Sequence, residues 1–184
     1  MNNTNKYYIN SFGGITGYVD TNIENYNIKL KLKLHEGLLD NGLSLNLYYD
    51  FMNDQTIEKF GYGIKCNYNI SYENGKVVMP NNDDSEELGY TYSNVSSSIG
   101  QITNEDTKIV FDKDRGWITS LSKIENGEEL TPPKITGFLE SNQFLYGNNI
   151  GETIRFLCNG VTGIVTEILL LRGSERYKSI YFEY

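Results

Sequence analysis

The sequence predicts an all-β protein made of antiparallel hairpins, arranged in a twisted sheet or a small β-solenoid or sandwich. Three observations carry that reading. Alanine, the best helix former, is absent from all 184 residues. Tyrosine, which favours pleated surfaces, occurs 15 times. Apolar residues recur at every second position through most of the chain, which is the period of a strand and not of a helix. With 39% hydrophobic and 22% charged residues, the chain has enough apolar material for one domain over residues 1–184 with a core of its own.

The elements follow in order. Ile28, Leu30, Leu32 and Leu34 share one side of a strand while Lys29, Lys31 and Lys33 occupy the other, so a half-buried strand with a solvated lysine face is expected. Leu43, Leu45, Leu47, Tyr49 and Phe51 repeat the pattern, and the intervening Asp40-Asn41-Gly42 predicts a hairpin between the two runs. Ile64, Cys66, Tyr68, Ile70 and Tyr72 read as a third alternating strand. Asn74-Gly75 then gives a tight reversal into Lys76–Met79, because both residues tolerate positive φ. Residues 80–87 read PNNDDSEE, an acidic loop whose Asp83, Asp84, Glu86 and Glu87 lack the ligand order and central glycine of a calcium loop. Pro132-Pro133 breaks the chain again.

The second half contains an echo. Thr107–Phe111, the turn Asp112–Gly116 and Trp117–Leu121 are matched by Thr153–Phe156, a turn at Asn159-Gly160, and Gly163–Ile168. Both read as strand, tight turn, strand, which sets sub-repeats at 15–79, 107–131 and 152–184. The core expected from the strongest runs is Leu30, Leu32, Leu45, Leu47, Phe111, Phe156 and Ile168.

Composition also excludes functions. A formal net charge of −8 opposes nucleic-acid binding, which needs excess Lys and Arg to displace counterions. A single histidine, His35, rules out a multi-histidine zinc site, and no nucleophile stands near it in sequence. No spacing singles out a carboxylate pair for glycoside hydrolysis, so no catalytic residue, cofactor or metal is assigned. Cys66 and Cys158 lie in strand-like runs and read as two small buried thiols, with a disulfide between them possible in an oxidising compartment. The polar stretch Met1–Lys6 lacks the apolar segment of a secretory signal. The expected setting is therefore the cytoplasm, or export by a route without a signal peptide. No apolar run reaches the length of a membrane span.

Three segments resemble the Rhs/YD-repeat family, which includes the shell-forming subunits of Tc-type toxins. Gly42–Asp50 followed by Phe60-Gly61-Tyr62-Gly63 is similar to the block that opens Rhs shell domains. Lys108–Leu121 is similar to the family's Gly-turn hairpin, and Glu152–Tyr184 looks like a degenerate YD repeat. The resemblance covers much of 15–123 and 152–184. It implies a ribbon of hairpins and a non-enzymatic structural or assembly role, working through a polypeptide partner or self-association. Rhs shells run to many hundreds of residues, so 184 residues do not enclose such a cavity alone.

Two candidate surfaces follow. Ser179, Ile180, Tyr181, Phe182, Glu183 and Tyr184 form a strand-like run with no turn, proline or charged tail after it. They are expected either to fold back into the chain's own sheet or to pair with another chain by strand addition. Tyr48, Tyr62, Tyr68, Tyr72, Tyr90, Tyr92 and Trp117 are interleaved with Asn and Asp, a mixture suited to a carbohydrate- or surface-binding face. The competing explanation is that a thin sheet fills its faces with tyrosine because the ring packs while the hydroxyl stays wet.

Overall fold

The structure is a computed structural model that describes residues 4–10, 16–22, 27–35, 43–51, 57–80, 85–86 and 88–184. It is an antiparallel all-β protein whose sheets do not close into a barrel. In chain order the first strands are β1 (Thr4–Asn10), β2 (Thr16–Asn22), β3 (Asn27–His35) and β4 (Leu45–Asp50). The short β5 (Ile57–Glu58), β6 (Gly61–Tyr62) and β7 (Ile64–Cys66) follow. The N-terminal sheet runs β1-β2-β3-β4-β7, and β5 pairs with β6 beside it. A two-stranded hairpin, β8 (Ser71–Glu73) and β9 (Lys76–Val78), comes next.

The C-terminal sheet is larger. Its strands are β10 (Thr91–Asn94), β11 (Ile99–Thr103), β12 (Thr107–Asp112), β13 (Trp117–Glu125), β14 (Glu128–Glu129), β15 (Ile135–Leu139), β16 (Gln143–Asn148), β17 (Glu152–Cys158), β18 (Val165–Arg172) and β19 (Glu175–Tyr181). They pair in chain order as one meander, with β14 off the path against β13. Each pairing needs only a short connection, so the fold is assembled from local hairpins.

The predicted turns sit where their chemistry requires. Asn74 and Gly75 both have positive φ (51° and 83°) in the β8–β9 hairpin. β3 and β4 pair as expected, although residues 40–42 of the connection lie outside the described residues. The echo is physical too. Asp112 Oδ1 accepts the N–H groups of Asp114 and Arg115, and Asn159 Oδ1 accepts those of Val161 and Thr162. Gly116 N–H donates to Asp112 O, and Gly163 N–H to Asn159 O. Gly116 and Gly163 have φ of 69° and 70°, a region that disfavours any side chain. A bulge precedes each turn, at Val110/Phe111 and at Leu157/Cys158. The hairpin predicted at Asn159-Gly160 thus turns on the Asn159 side chain and on Gly163, not on Gly160.

The core lies between the two sheets. Leu34, Leu43, Leu45, Leu47, Phe60 and Cys66 meet Phe111, Trp117, Phe144, Tyr146, Phe156, Ile168 and Leu170 in one buried cluster. Its centre is aromatic: the Phe156 ring lies 5.1 Å from Trp117 and 5.9 Å from both Tyr68 and Tyr146, centroid to centroid. Backbone bonds stitch the halves together, from Ile70 N–H to Gly116 O, Ile118 N–H to Tyr68 O and Val165 N–H to Lys59 O. Of the expected core, Leu45, Leu47, Phe111, Phe156 and Ile168 are buried. Leu32 is partly buried and packs on the cluster, whereas Leu30, one step farther along the same face, is half-buried and does not reach it. The alternation identified the right face, since Leu32 and Leu34 on it reach the cluster.

The expected third strand is broken. Only Ile64–Cys66 pairs with β4, because Asn69 folds back: its Oδ1 accepts Cys66 N–H at 2.9 Å and its own N–H donates to Cys66 O. Tyr68 and Ile70 are carried into the core by that turn instead of along a strand.

Candidate functional site

The C-terminal run splits in two. Ser179, Ile180 and Tyr181 belong to β19, which pairs with β18 and ends the C-terminal sheet. Ile180 and Phe182 pack on the core, the Phe182 ring 5.4 Å from that of Phe60. Phe182 N–H donates to Thr166 O, and Tyr184 Oη donates to Val165 O at 2.6 Å. Burial and the neighbouring Cys158 push the Tyr184 hydroxyl up to about 12, so the donor stays protonated. Phe182 and Tyr184 are therefore taken up by the chain's own fold, while Glu183 is exposed.

β19 is the last described strand of the C-terminal sheet. Phe182 and Thr166 form a hydrogen-bonded pair, so antiparallel alternation turns the N–H and C=O of Ser179 and Tyr181 away from β18. No described strand pairs with that side. The edge is partly blunted by a bulge at Leu170/Leu171.

A polar seam holds β19 to the N-terminal sheet. Tyr177 Oη and His35 Nε2 are 2.9 Å apart, and Lys178 Nζ donates to Leu34 O at 2.9 Å. The Arg172 guanidinium lies 5.6 Å over the Tyr177 ring and 3.5 Å from Glu152 Oε1. Glu152 is only 2% exposed. Its Oε2 accepts Asn148 Nδ2–H at 3.0 Å and Leu43 N–H at 3.4 Å, a bond across 109 residues of sequence. Burial, and then the Glu152 carboxylate, raise the Tyr177 hydroxyl above its ordinary value. Sequence reasoning missed this group. The signal was present, because Glu152 alternates with Ile154 and Phe156 on an otherwise apolar side.

The seven aromatic residues do not form one surface. Tyr68 and Trp117 are 1% and 0% exposed, so both are core residues and not part of a binding face. Their rings fill the space between the sheets, which needs large apolar volume. Tyr72, Tyr90 and Tyr92 are half-buried and pack on the core. Tyr72 and Tyr92 stack at 5.2 Å, with Lys113 Nζ 5.5 Å from the Tyr72 centroid. Tyr48 lies under Lys31 and lines a cleft with Met79, Pro80, Ile109, Ile118 and Leu121, and Tyr62 is exposed on β6. Beside Tyr72 lies a polar cleft of about 180 Å³ lined by Glu58, Lys59, Glu73, Lys113 and Arg115. Lys113 is already bonded to Asn94 Oδ1 and Ser96 O, and Arg115 to Leu139 O.

Cys66 and Cys158 are free thiols. Burial raises both, Cys158 to about 11, so neither is a ready nucleophile at neutral pH. No group of three or more His, Cys, Asp or Glu suited to a metal occurs among the described residues. Of the acidic loop, Glu86 is an exposed turn residue, while Asp83, Asp84 and Glu87 lie outside the described residues. No helix among the described residues is long and apolar enough to cross a membrane.

No family model, curated protein or solved structure matches the chain. The fold defines an antiparallel all-β protein of two packed sheets, with β19 the last strand of the C-terminal sheet among the described residues.

Proposed function

We propose that this protein is a non-enzymatic assembly module that recruits an extended polypeptide strand, from a partner or from another copy of itself, along the side of β19 away from β18. The observation that carries this reading is the outward N–H and C=O of Ser179 and Tyr181 at the end of the C-terminal sheet. An added strand satisfies those groups by the ladder already used on the β18 side. The resemblance of Gly42–Asp50, Lys108–Leu121 and Glu152–Tyr184 to Rhs/YD-repeat shell segments supports the same role, since such ribbons grow by hairpin-to-hairpin pairing. The carbohydrate-binding alternative loses Trp117 and Tyr68 to the core, and Tyr72 and Tyr92 face each other.

Removing the C-terminal run would strip Ile180 and Phe182 from the core, so truncation is a poor test. Ser179→Pro deletes an outward donor and spares the β18 ladder. A tagged chain should form a complex seen by light scattering, or capture a polypeptide from a lysate of its source, and Ser179→Pro should abolish that association. A monomer that captures nothing, or a complex indifferent to Ser179→Pro, overturns the proposal.

A further inference from the structure

The C-terminal sheet turns a second apolar face away from the core. Cross-strand pairing places Phe138, Leu145, Arg155, Leu169 and Ser179 in one row across β15–β19. The next row carries Gln143, Leu157, Glu167 and Tyr181. Residues on the opposite side of the same strands, such as Phe144, Ile154, Phe156, Ile168 and Leu170, are buried in the core. The outward leucines Leu145, Leu157 and Leu169 are half-buried against their neighbours on the sheet and take no part in the core cluster. Phe138 and Tyr181 rim the face at 63% and 68% exposure. Half-buried leucines between two exposed aromatic rims make this face a candidate interaction surface.

Two charges stand in the middle of this face. Arg155 lies between Leu145 and Leu169, and its Nε is shut off from water with no hydrogen-bond partner. Glu167 is its diagonal neighbour, opposite Leu157. Neither side chain makes an ion pair or hydrogen bond with another described residue. A desolvated Nε–H without an acceptor is unfavourable until one reaches it. Arginine among leucines, with no lysine on the face, is also the composition of an interface centre.

We propose that a second copy of this chain docks on the outward face of β15–β19, with Arg155 of each copy over Glu167 of the other. This deepens the assembly reading with a face that meets the β19 edge at Ser179 and Tyr181. One cation and one anion side by side make the face self-complementary. A two-fold axis lying between the two faces, midway between the residues, exchanges them, as an isologous contact requires. Five strands about 4.8 Å apart, each contributing about six residues at about 3.3 Å, give roughly 480 Å² per copy. Two copies together bury on the order of 1,000 Å², the lower limit for a specific interface. The dimer is therefore weak and concentration-dependent, and the charge pairs set its register.

Sedimentation equilibrium on the full chain tests this, with circular dichroism to show that each variant keeps its β fold. The unaltered chain should dimerise reversibly, and Arg155→Glu or Glu167→Arg should each weaken the dimer by roughly tenfold or more. Mixing the two variants should restore association, because the carboxylate introduced at position 155 of one copy then meets the guanidinium introduced at position 167 of the other. The double charge swap should self-associate again for the same reason. Arg155→Glu and Glu167→Arg keep the outward N–H and C=O of Ser179 and Tyr181, so their effect reports on the face and not on the β19 edge. A chain that stays monomeric, a dimer unmoved by Arg155→Glu, or a charge-swapped mixture that does not associate overturns the proposal. A different polypeptide captured on this face by a monomeric chain overturns the choice of a second copy.

Discussion

Each sheet turns one side to the shared core and one away from it, and the two outward sides differ in chemistry. On the N-terminal sheet Tyr18, Lys31, Tyr48 and Lys65 stand side by side across β2, β3, β4 and β7. Their charges are occupied: Lys31 lies over Tyr48, Lys29 is 3.8 Å from Asp50, and Lys65 reaches Ser71 and Glu58. The C-terminal sheet presents Leu145, Leu157 and Leu169 around Arg155, whose Nε–H has no acceptor among the described residues. Both arise from the same alternation. Period two tells which residues share a side, but it does not tell which side meets water.

Core truncations should separate the sheets most. Phe156 is fully buried at the centre of the aromatic cluster, so Phe156→Ala should lose about 3–5 kcal/mol in urea unfolding. Leu30→Ala, half-buried and outside the core cluster, should lose less than about 1 kcal/mol. A larger loss at Leu30 than at Phe156 would reverse the assignment of the core.

Charges come next. Removing the buried Glu152 leaves Leu43 N–H and Asn148 Nδ2–H without their acceptor and strands Arg172, so Glu152→Ala should lose roughly 2–4 kcal/mol. On the lysine face, Lys29→Ala should stay within about 0.5 kcal/mol, because the Lys29–Asp50 contact is long and the lysine half-exposed. Equal losses at the two sites in the same unfolding assay would mean that the seam does not clamp the sheets.

The smallest effects concern two core tyrosines whose tilted rings lie 4.4 Å apart. Burial holds the hydroxyls of Tyr68 and Tyr146 above their ordinary value of 10. The folded chain keeps protons that the unfolded chain releases above pH 10, so stability is full below that pH and falls as pH rises past it. Tyr68 Oη donates to Ser44 O at 3.1 Å, and Tyr68→Phe should lose about 1 kcal/mol at neutral pH. Tyr146 Oη has no partner, so Tyr146→Phe should be neutral within about 0.5 kcal/mol and should soften the alkaline loss. An alkaline unfolding profile unchanged in both variants would assign the loss to other groups.

Much of the architecture was legible residue by residue. The Asn74-Gly75 reversal, the Asp112–Gly116 turn and its echo at Asn159–Gly163 follow from side chains that bond their own backbone within four residues. The site was less legible. Nothing in the run from Ile64 to Tyr72 announces that Asn69 will cap Cys66 N–H and break the strand. Trp117 and Tyr68 look like binding residues in sequence because an aromatic among polar neighbours suits a surface and a core equally.

The sequence by itself determined the all-β class, the hairpin order and the sides on which apolar residues gather. These depend on residues within a few positions of one another, where φ preference, side-chain capping and alternation act without help from the rest of the chain. Tertiary structure alone decided that Leu32 packs and Leu30 does not, that Trp117 is buried, and that Glu152 receives Leu43 N–H. Those outcomes depend on how one sheet packs on the other. That packing is set by contacts between residues as distant as Leu43 and Glu152, whose meeting no local preference encodes.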